Sequence, residues 1–186
     1  MYKLCKNEQS ASRQRKLEKG LLEAMLVSRY EDISVSDLCA RMGVPRKSFY
    51  RYFSSKDGAL YALLDHTMLE FYTEGFRTEN GGTALGDLSQ FFVFWHEHRD
   101  LLCALDKSQL SGIMIERATM LAQRERLMPM RILSWSADLQ GLALSFAICG
   151  LVSMVFQWYR QGCRLSPEEL TQVAAAMLTK PLVNGS

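Results

Sequence analysis

Apolar residues recur at spacings of three and four along most of the chain, the period of an amphipathic α-helix, and no run alternates as a strand would. Leu17, Leu21, Ala24, Met25 and Ser28 stripe one side of a helix predicted from Ser12 to Ser28. A second, short helix buries Val35, Leu38, Cys39 and Met42. Ser34 is placed to cap it, with Asp37 at the reciprocal capping-box position. Gly43 suits the left-handed residue that closes a helix. Pro45 cannot continue that helix but can begin another. In the segment Arg46 to Phe53, Phe49 and Phe53 fall four apart for packing, which leaves Arg46, Lys47, Ser48, Tyr50, Arg51 and Tyr52 to project elsewhere. Two helices joined by a short glycine-containing turn make a helix-turn-helix.

Ser54-Ser55-Lys56-Asp57 reads as another capping box and opens a helix predicted from Ser55 to Arg77, striped by Leu60, Leu63, Leu64, Thr67, Met68 and Phe71. This helix connects the N-terminal module to the rest. Asn80-Gly81-Gly82 ends it. Helices follow over Thr83 to His96, Leu101 to Asp106 and Ser108 to Arg126, the last interrupted by Leu127-Met128-Pro129. A long apolar helix spans Leu133 to Arg160. Ser166-Pro167-Glu168-Glu169 combines a cap, an N1 proline and first-turn acids, and opens a final helix to Leu178. The expected fold class is all-α. Residues 1–56 form an N-terminal arm and a three-helix helix-turn-helix domain, and residues 57–186 form a helical body. Residues 1–11 read as a disordered, mildly basic arm.

Charge sharpens this division. The net charge of the 186 residues is +2, but residues 1–60 hold 12 Lys+Arg against 7 Asp+Glu, and residues 61–186 hold 10 against 13. A basic module on a mildly acidic body points to an anionic partner for the N-terminal end. Leu139 to Tyr159 carries no charge and is long enough to span a bilayer, yet it contains Gln140, Gly141, Ser145, Gly150, Ser153 and Gln157. It reads as a buried helix, with no membrane partner. Cys5, Cys39, Cys103, Cys149 and Cys163 are odd in number and scattered, without a Cys-x-x-Cys pair. They read as reduced, mostly buried thiols of a cytoplasmic protein. His96 and His98 are two apart, so a helix turns them different ways and no metal is expected. The absence of a nucleophile–base set or a glycine-rich phosphate loop argues against an enzyme and for no cofactor.

The run Ser-Val-Ser-Asp-Leu-Cys-Ala-Arg-Met-Gly-Val-Pro-Arg-Lys-Ser-Phe-Tyr-Arg-Tyr-Phe-Ser-Ser-Lys-Asp-Gly-Ala-Leu resembles the DNA-binding domain of the tetracycline-repressor (TetR) family. The resemblance covers residues 12–65 and includes the Gly-Val turn, the Phe-Tyr-x-Tyr-Phe helix and the Ser-Lys that opens the next helix. It implies a transcriptional regulator, expected to be a repressor, that binds a double-stranded DNA operator as a homodimer and responds to a small-molecule effector. The implied DNA-facing residues are Ser34, Ser36, Arg46, Lys47, Ser48, Tyr50, Arg51, Tyr52 and Lys56. Arg and Lys suit guanine edges and phosphates. By similarity, Tyr50 and Tyr52 touch the backbone and thymine methyls, and Ser34 and Lys56 hold phosphates. Pro45-Arg46-Lys47 departs from common family sequences and leaves the operator unreadable. The last two helices resemble the family's dimer bundle. There Gly141, Ser145, Cys149 and Ser153 form a strip of small residues that permits close helix approach. The body is rich in Phe, Trp and Met, which suits an apolar pocket; Phe91, Trp95 and Met114 are the expected ligand contacts. The alternative is a helical lipid- or small-molecule-binding protein whose basic end meets a membrane.

Overall fold

The computed structural model describes residues 1–5, 7–74, 84–125 and 136–179. Among them nine α-helices run in order: α1 (Glu8–Val27), α2 (Val35–Arg41), α3 (Arg46–Tyr50), α4 (Lys56–Glu74), α5 (Ala84–Glu97), α6 (Arg99–Lys107), α7 (Ser111–Arg124), α8 (Ala137–Arg160) and α9 (Pro167–Thr179). A 3-10 turn, Tyr30–Asp32, precedes α2. The expected breakers at Asn80-Gly81-Gly82 and Leu127-Met128-Pro129 lie outside the described residues. So do the expected helix ends at Arg77 and Arg126 and the expected start at Leu133.

The helix ends follow local chemistry. Ser34 Oγ accepts the Asp37 N–H at 3.0 Å. At the start of α9 both halves of the capping box form: Glu169 N–H donates to Ser166 Oγ (3.2 Å), and Ser166 N–H to Glu169 Oε2 (2.8 Å). Gly43 closes α2 at φ 64°. Its N–H bonds the Ala40 carbonyl, and that of Val44 bonds Cys39, which is the paired pattern of a Schellman motif.

Helix α1 packs on α4 and α6, α4 on α7, α7 on α8, and α5 on α9. The predicted stripes of α1 and α4 are buried, from Leu17 to Met25 and from Leu60 to Phe71. One apolar cluster runs from Leu17 through Phe49, Leu64, Phe92 and Phe156 to Ala174, across the expected boundary at residue 56.

Three expectations are corrected. The first residues are an ordered strap rather than a disordered arm. Lys3 N–H donates to the Tyr52 carbonyl (2.9 Å) and Ser54 N–H to the Met1 carbonyl (3.1 Å), forming an antiparallel bridge between Tyr2 and Phe53. Asn7 takes the Ser10 N–H at 2.8 Å and starts α1 at Glu8, four residues ahead of Ser12. Second, α8 is not a buried helix within one copy. It is long and apolar enough to cross a membrane by composition, yet only 22% of that stretch is buried. Leu144, Val152, Val155, Phe156 and Trp158 face inward, while Leu142 and Phe146 are 70% and 72% exposed. Third, of the five thiols, all free, only Cys39 is buried, and Cys149 is exposed.

Candidate nucleic-acid interface

Helix α3 has five residues and cannot stand alone. Phe49 and Phe53 hold it, both wholly buried, with ring centroids 5.1 Å apart. Leu38 and Cys39 of α2 and Ile33 ahead of it belong to the same core. With that side fixed, Arg46, Lys47, Tyr50 and Arg51 are exposed and Ser48 is partly so. The Arg46 guanidinium lies 5.9 Å from the centre of the Tyr50 ring. Ser34 and Ser36 are exposed at the start of α2, and the Ser34 hydroxyl donates to Asp37 Oδ2 at 2.6 Å. Seven of the nine residues singled out in the sequence are therefore exposed or partly so, at the start of α2 (Ser34 as its cap, Ser36) and along α3 to Arg51 just past its end.

The other two are placed differently. Helix α3 ends at Tyr50, and the chain turns at Arg51 and Tyr52. That turn swings Tyr52 into the core beside Phe53, where it is 6% exposed. This corrects the expectation that it stands on the outward face. Lys56 is half-buried and engaged inside the protein. Its Nζ donates to the carbonyls of Tyr30 (2.5 Å) and Ile33 (2.7 Å), lies 3.5 Å from that of Glu31, and sits 4.2 Å from the Tyr30 ring centre. The ammonium ties the start of α4 to the turn before α2.

Residue pairs absent from the sequence reading complete the frame. Tyr30 N–H donates to the buried Ser108 Oγ (2.9 Å), and Tyr30 Oη donates to Asp57 (2.5 Å). Burial, and then the bond to Asp57, push the Tyr30 phenol above its ordinary range. Lys107 Nζ donates to the carbonyls of Leu26 (3.2 Å) and Val27 (2.8 Å), a cation at the C-terminal end of α1 where the helix dipole favours it. On α4, Asp65 is wholly buried. It takes Arg117 Nε at 2.9 Å and Nη2 at 2.5 Å, and the Tyr2 hydroxyl at 2.6 Å. Burial and the bond to Asp65 push the Tyr2 phenol up to about 12. His66 Nδ1 lies 3.0 Å from both carboxylate oxygens of Glu18 in α1. These partners are tens of residues apart, and no local spacing marks them.

In the body, Trp95 and Met114 are core, and Phe91 is half-buried against Phe71, Phe92 and Trp95. None of the three lines the cavity between α7 and α8. That cavity, about 280 Å³, is bounded by Ser111, Ile115, Val152, Ser153, Phe156, Gln157 and Arg160. His96 packs on Trp158 and His98 stacks on Phe94. In the small-residue strip of α8, Cys149 and Ser153 are exposed, and Gly141 and Ser145 are partly so. A Cβ at Gly141 or Gly150 would meet nothing within 4 Å.

Residues 30–63, which hold α2, α3 and the start of α4, match the family of bacterial regulatory proteins, tetR family. No curated protein matches the chain in sequence. Among solved structures, the fatty acid degradation regulator FadR from Bacillus halodurans is similar over 96% of this chain and 98% of its own, with a TM-score of 0.63 and 16% identity. The TetR family repressor AlkX from Dietzia sp. strain DQ12-45-1b, implicated in biodegradation of n-alkanes, is similar over 90% of this chain and 95% of its own, with a TM-score of 0.55 and 23% identity. At these identities the likeness is one of fold. The resemblance carried by the helix-turn-helix residues is thus found in residues 30–63, and the all-α architecture among the described residues.

Proposed function

We propose that this chain, with its tetR-family helix-turn-helix, is a cytoplasmic transcriptional regulator. In this reading a homodimer represses from a palindromic operator and is released by a small, largely apolar effector. One observation carries the reading: a five-residue helix buries Phe49 completely and leaves Arg46, Lys47 and Tyr50, with Arg51 just past its end, exposed to solvent. The three cations lie outside the core and Tyr50 stands edge-on to Phe49 at 5.6 Å with half its surface in solvent; their donors suit guanine edges and phosphates. Ser34, Ser36 and Ser48 add short polar contacts at the same surface. Lys56 acts through the Tyr30–Ile33 turn, and Tyr52 acts as scaffold.

One such helix reads few base pairs, so two copies related by a twofold axis are needed to cover paired half-sites. The outer face of α8 supports this. Leu142, Phe146, Cys149, Gly150 and Ser153 are exposed on it, with Val173 and Met177 exposed on α9. An uncharged apolar face of this kind fits a second copy of itself. The half-open groove between α7 and α8 is the candidate site for the effector. Ile115, Val152 and Phe156 offer apolar contact, and Ser111 and Gln157 offer hydrogen bonds. Occupancy acts on DNA only if the effector binds the two conformations with different affinity.

The test is selection of random duplex DNA on the purified protein, followed by titration at several salt concentrations. A palindromic consensus is expected, with affinity falling about 10³–10⁵-fold between 50 and 200 mM salt for roughly 6–10 phosphate contacts. Failure to enrich any sequence would sink the reading. The exposed apolar face of α8 also suits a bilayer. Flotation with anionic vesicles, in the absence of any duplex selection, would favour the membrane-facing alternative.

A further inference from the structure

We propose that the N-terminal strap positions the recognition helix α3, and that Tyr2 carries the state of α7 to it through the buried Asp65. The inference rests on the DNA-binding reading above. The strap pairs with the segment after α3 at the residues on either side of Phe53. Lys3 N–H bonds the Tyr52 carbonyl, while Ser54 bonds the Met1 carbonyl through both its N–H (3.1 Å) and its hydroxyl (2.8 Å). Residues 52–54 are the link between α3 and α4, so their position sets where α3 points.

An isolated two-strand bridge this short is weak by itself. Its anchors are side chains. The Tyr2 hydroxyl reaches Asp65, the Tyr2 ring stands edge-on to His66 at 5.5 Å, and Cys5 Sγ donates to Gln14 Oε1 of α1 at 2.8 Å. The strap lies directly on the first turn of α4, where a Cβ at the buried Gly58 would collide with the Met1 carbonyl.

Asp65 makes the anchor conditional. A carboxylate with no exposed surface needs its partners in place. Its charge partner is Arg117 of α7, which grips both oxygens. The same helix lines the cavity through Ser111 and Ile115. A shift of α7 therefore moves Arg117, changes how Asp65 holds Tyr2, and loosens or tightens residues 52–54. The path does not require α4 to move as a rigid rod.

The experiment compares the full-length protein with Tyr2→Phe, Gly58→Ala, Arg117→Lys and the Tyr2→Phe/Arg117→Lys double variant. The first readout is amide hydrogen exchange. Tyr2→Phe keeps the ring and removes one hydroxyl. It should speed exchange at Lys3 and Ser54 about tenfold and leave Leu21 and Leu64 unchanged. Arg117→Lys loses the two-pronged grip and should speed the same two amides, although Arg117 touches neither. The double variant should show no more than the larger single effect. The second readout is affinity for the selected duplex. Tyr2→Phe should weaken it about three- to tenfold with an unchanged salt slope, since no phosphate contact is lost. Gly58→Ala improves local helix propensity and lifts the strap, and should produce the same loss. Unaltered exchange at Lys3 and Ser54 in Tyr2→Phe overturns the proposal, as does strict additivity of the two substitutions. If the unmodified protein enriches no duplex, the DNA-binding reading fails, while the exchange data still judge the strap.

Discussion

Replacing Lys56 by methionine keeps the apolar stem and deletes only the ammonium. In the folded chain that ammonium makes two short bonds, to the Tyr30 carbonyl at 2.5 Å and the Ile33 carbonyl at 2.7 Å. The Glu31 carbonyl at 3.5 Å is too far to add much. A charge-assisted bond contributes about 1.5–3 kcal/mol. Lys56 is only half-buried, so water can replace part of each bond and the low end applies. The Tyr30 ring at 4.2 Å adds about 0.5–1 kcal/mol. Lys56→Met should therefore destabilise the fold by about 3.5–4 kcal/mol. Urea unfolding at fixed protein concentration, followed by far-ultraviolet circular dichroism, measures this. The same variant is then titrated with the selected duplex over a salt series. A lysine engaged within the protein leaves the salt slope unchanged, whereas Arg51→Ala should lower it by about 0.9 per subunit with little change in stability. Suppose instead that Lys56→Met leaves stability within about 0.5 kcal/mol and lowers the slope as Arg51→Ala does. The placement of Lys56 as an internal tie would then be refuted, and its role as a phosphate contact restored.

Three further outcomes follow from other parts of the molecule. Gly43→Ala meets no atom within 4 Å, so its cost is the left-handed backbone alone, about 1 kcal/mol by urea unfolding, with Gly43→Asn costing less. Phe146→Asp places a charge on the exposed face of α8; sedimentation should show a folded monomer, and operator affinity should fall at least about tenfold. The Tyr2 phenol is neutral when protonated and is pushed up to about 12, so its contribution to stability is complete below its ordinary value near 10 and is lost as pH rises toward 12. Unfolding curves between those limits should fall more steeply for the unmodified protein than for Tyr2→Phe, and identical slopes would contradict the buried bond to Asp65.

Much of the helix-turn-helix was legible because its signals are local. A cap acts over three residues, a helical stripe over three or four, and a closing glycine over six. Ser166 with Glu169 and Gly43 behave as their spacing requires, and Ser34 caps α2 through its hydroxyl, although Asp37 takes that hydroxyl rather than the Ser34 N–H of a full capping box. Tyr50 and Tyr52 show where that reach ends. Both read as outward, but α3 stops between them and the turn sends Tyr52 to the core. The lysine of the Ser-Lys pair was visible as a motif; its use, on carbonyls more than twenty residues upstream, was not.

The amino-acid sequence alone determined the all-α class, the stripes of α1 and α4, and the basic outward face of α3. Each depends on interactions within about one helical turn. Tertiary structure alone decided that the first five residues form a strap, that Asp65 joins Tyr2 to Arg117, and that the apolar α8 leaves one face uncovered in a single copy. Those outcomes turn on which helices come to lie side by side. A buried carboxylate such as Asp65 takes its partners from whatever elements the packing brings within about 3 Å, and the spacing of residues along the chain does not encode them.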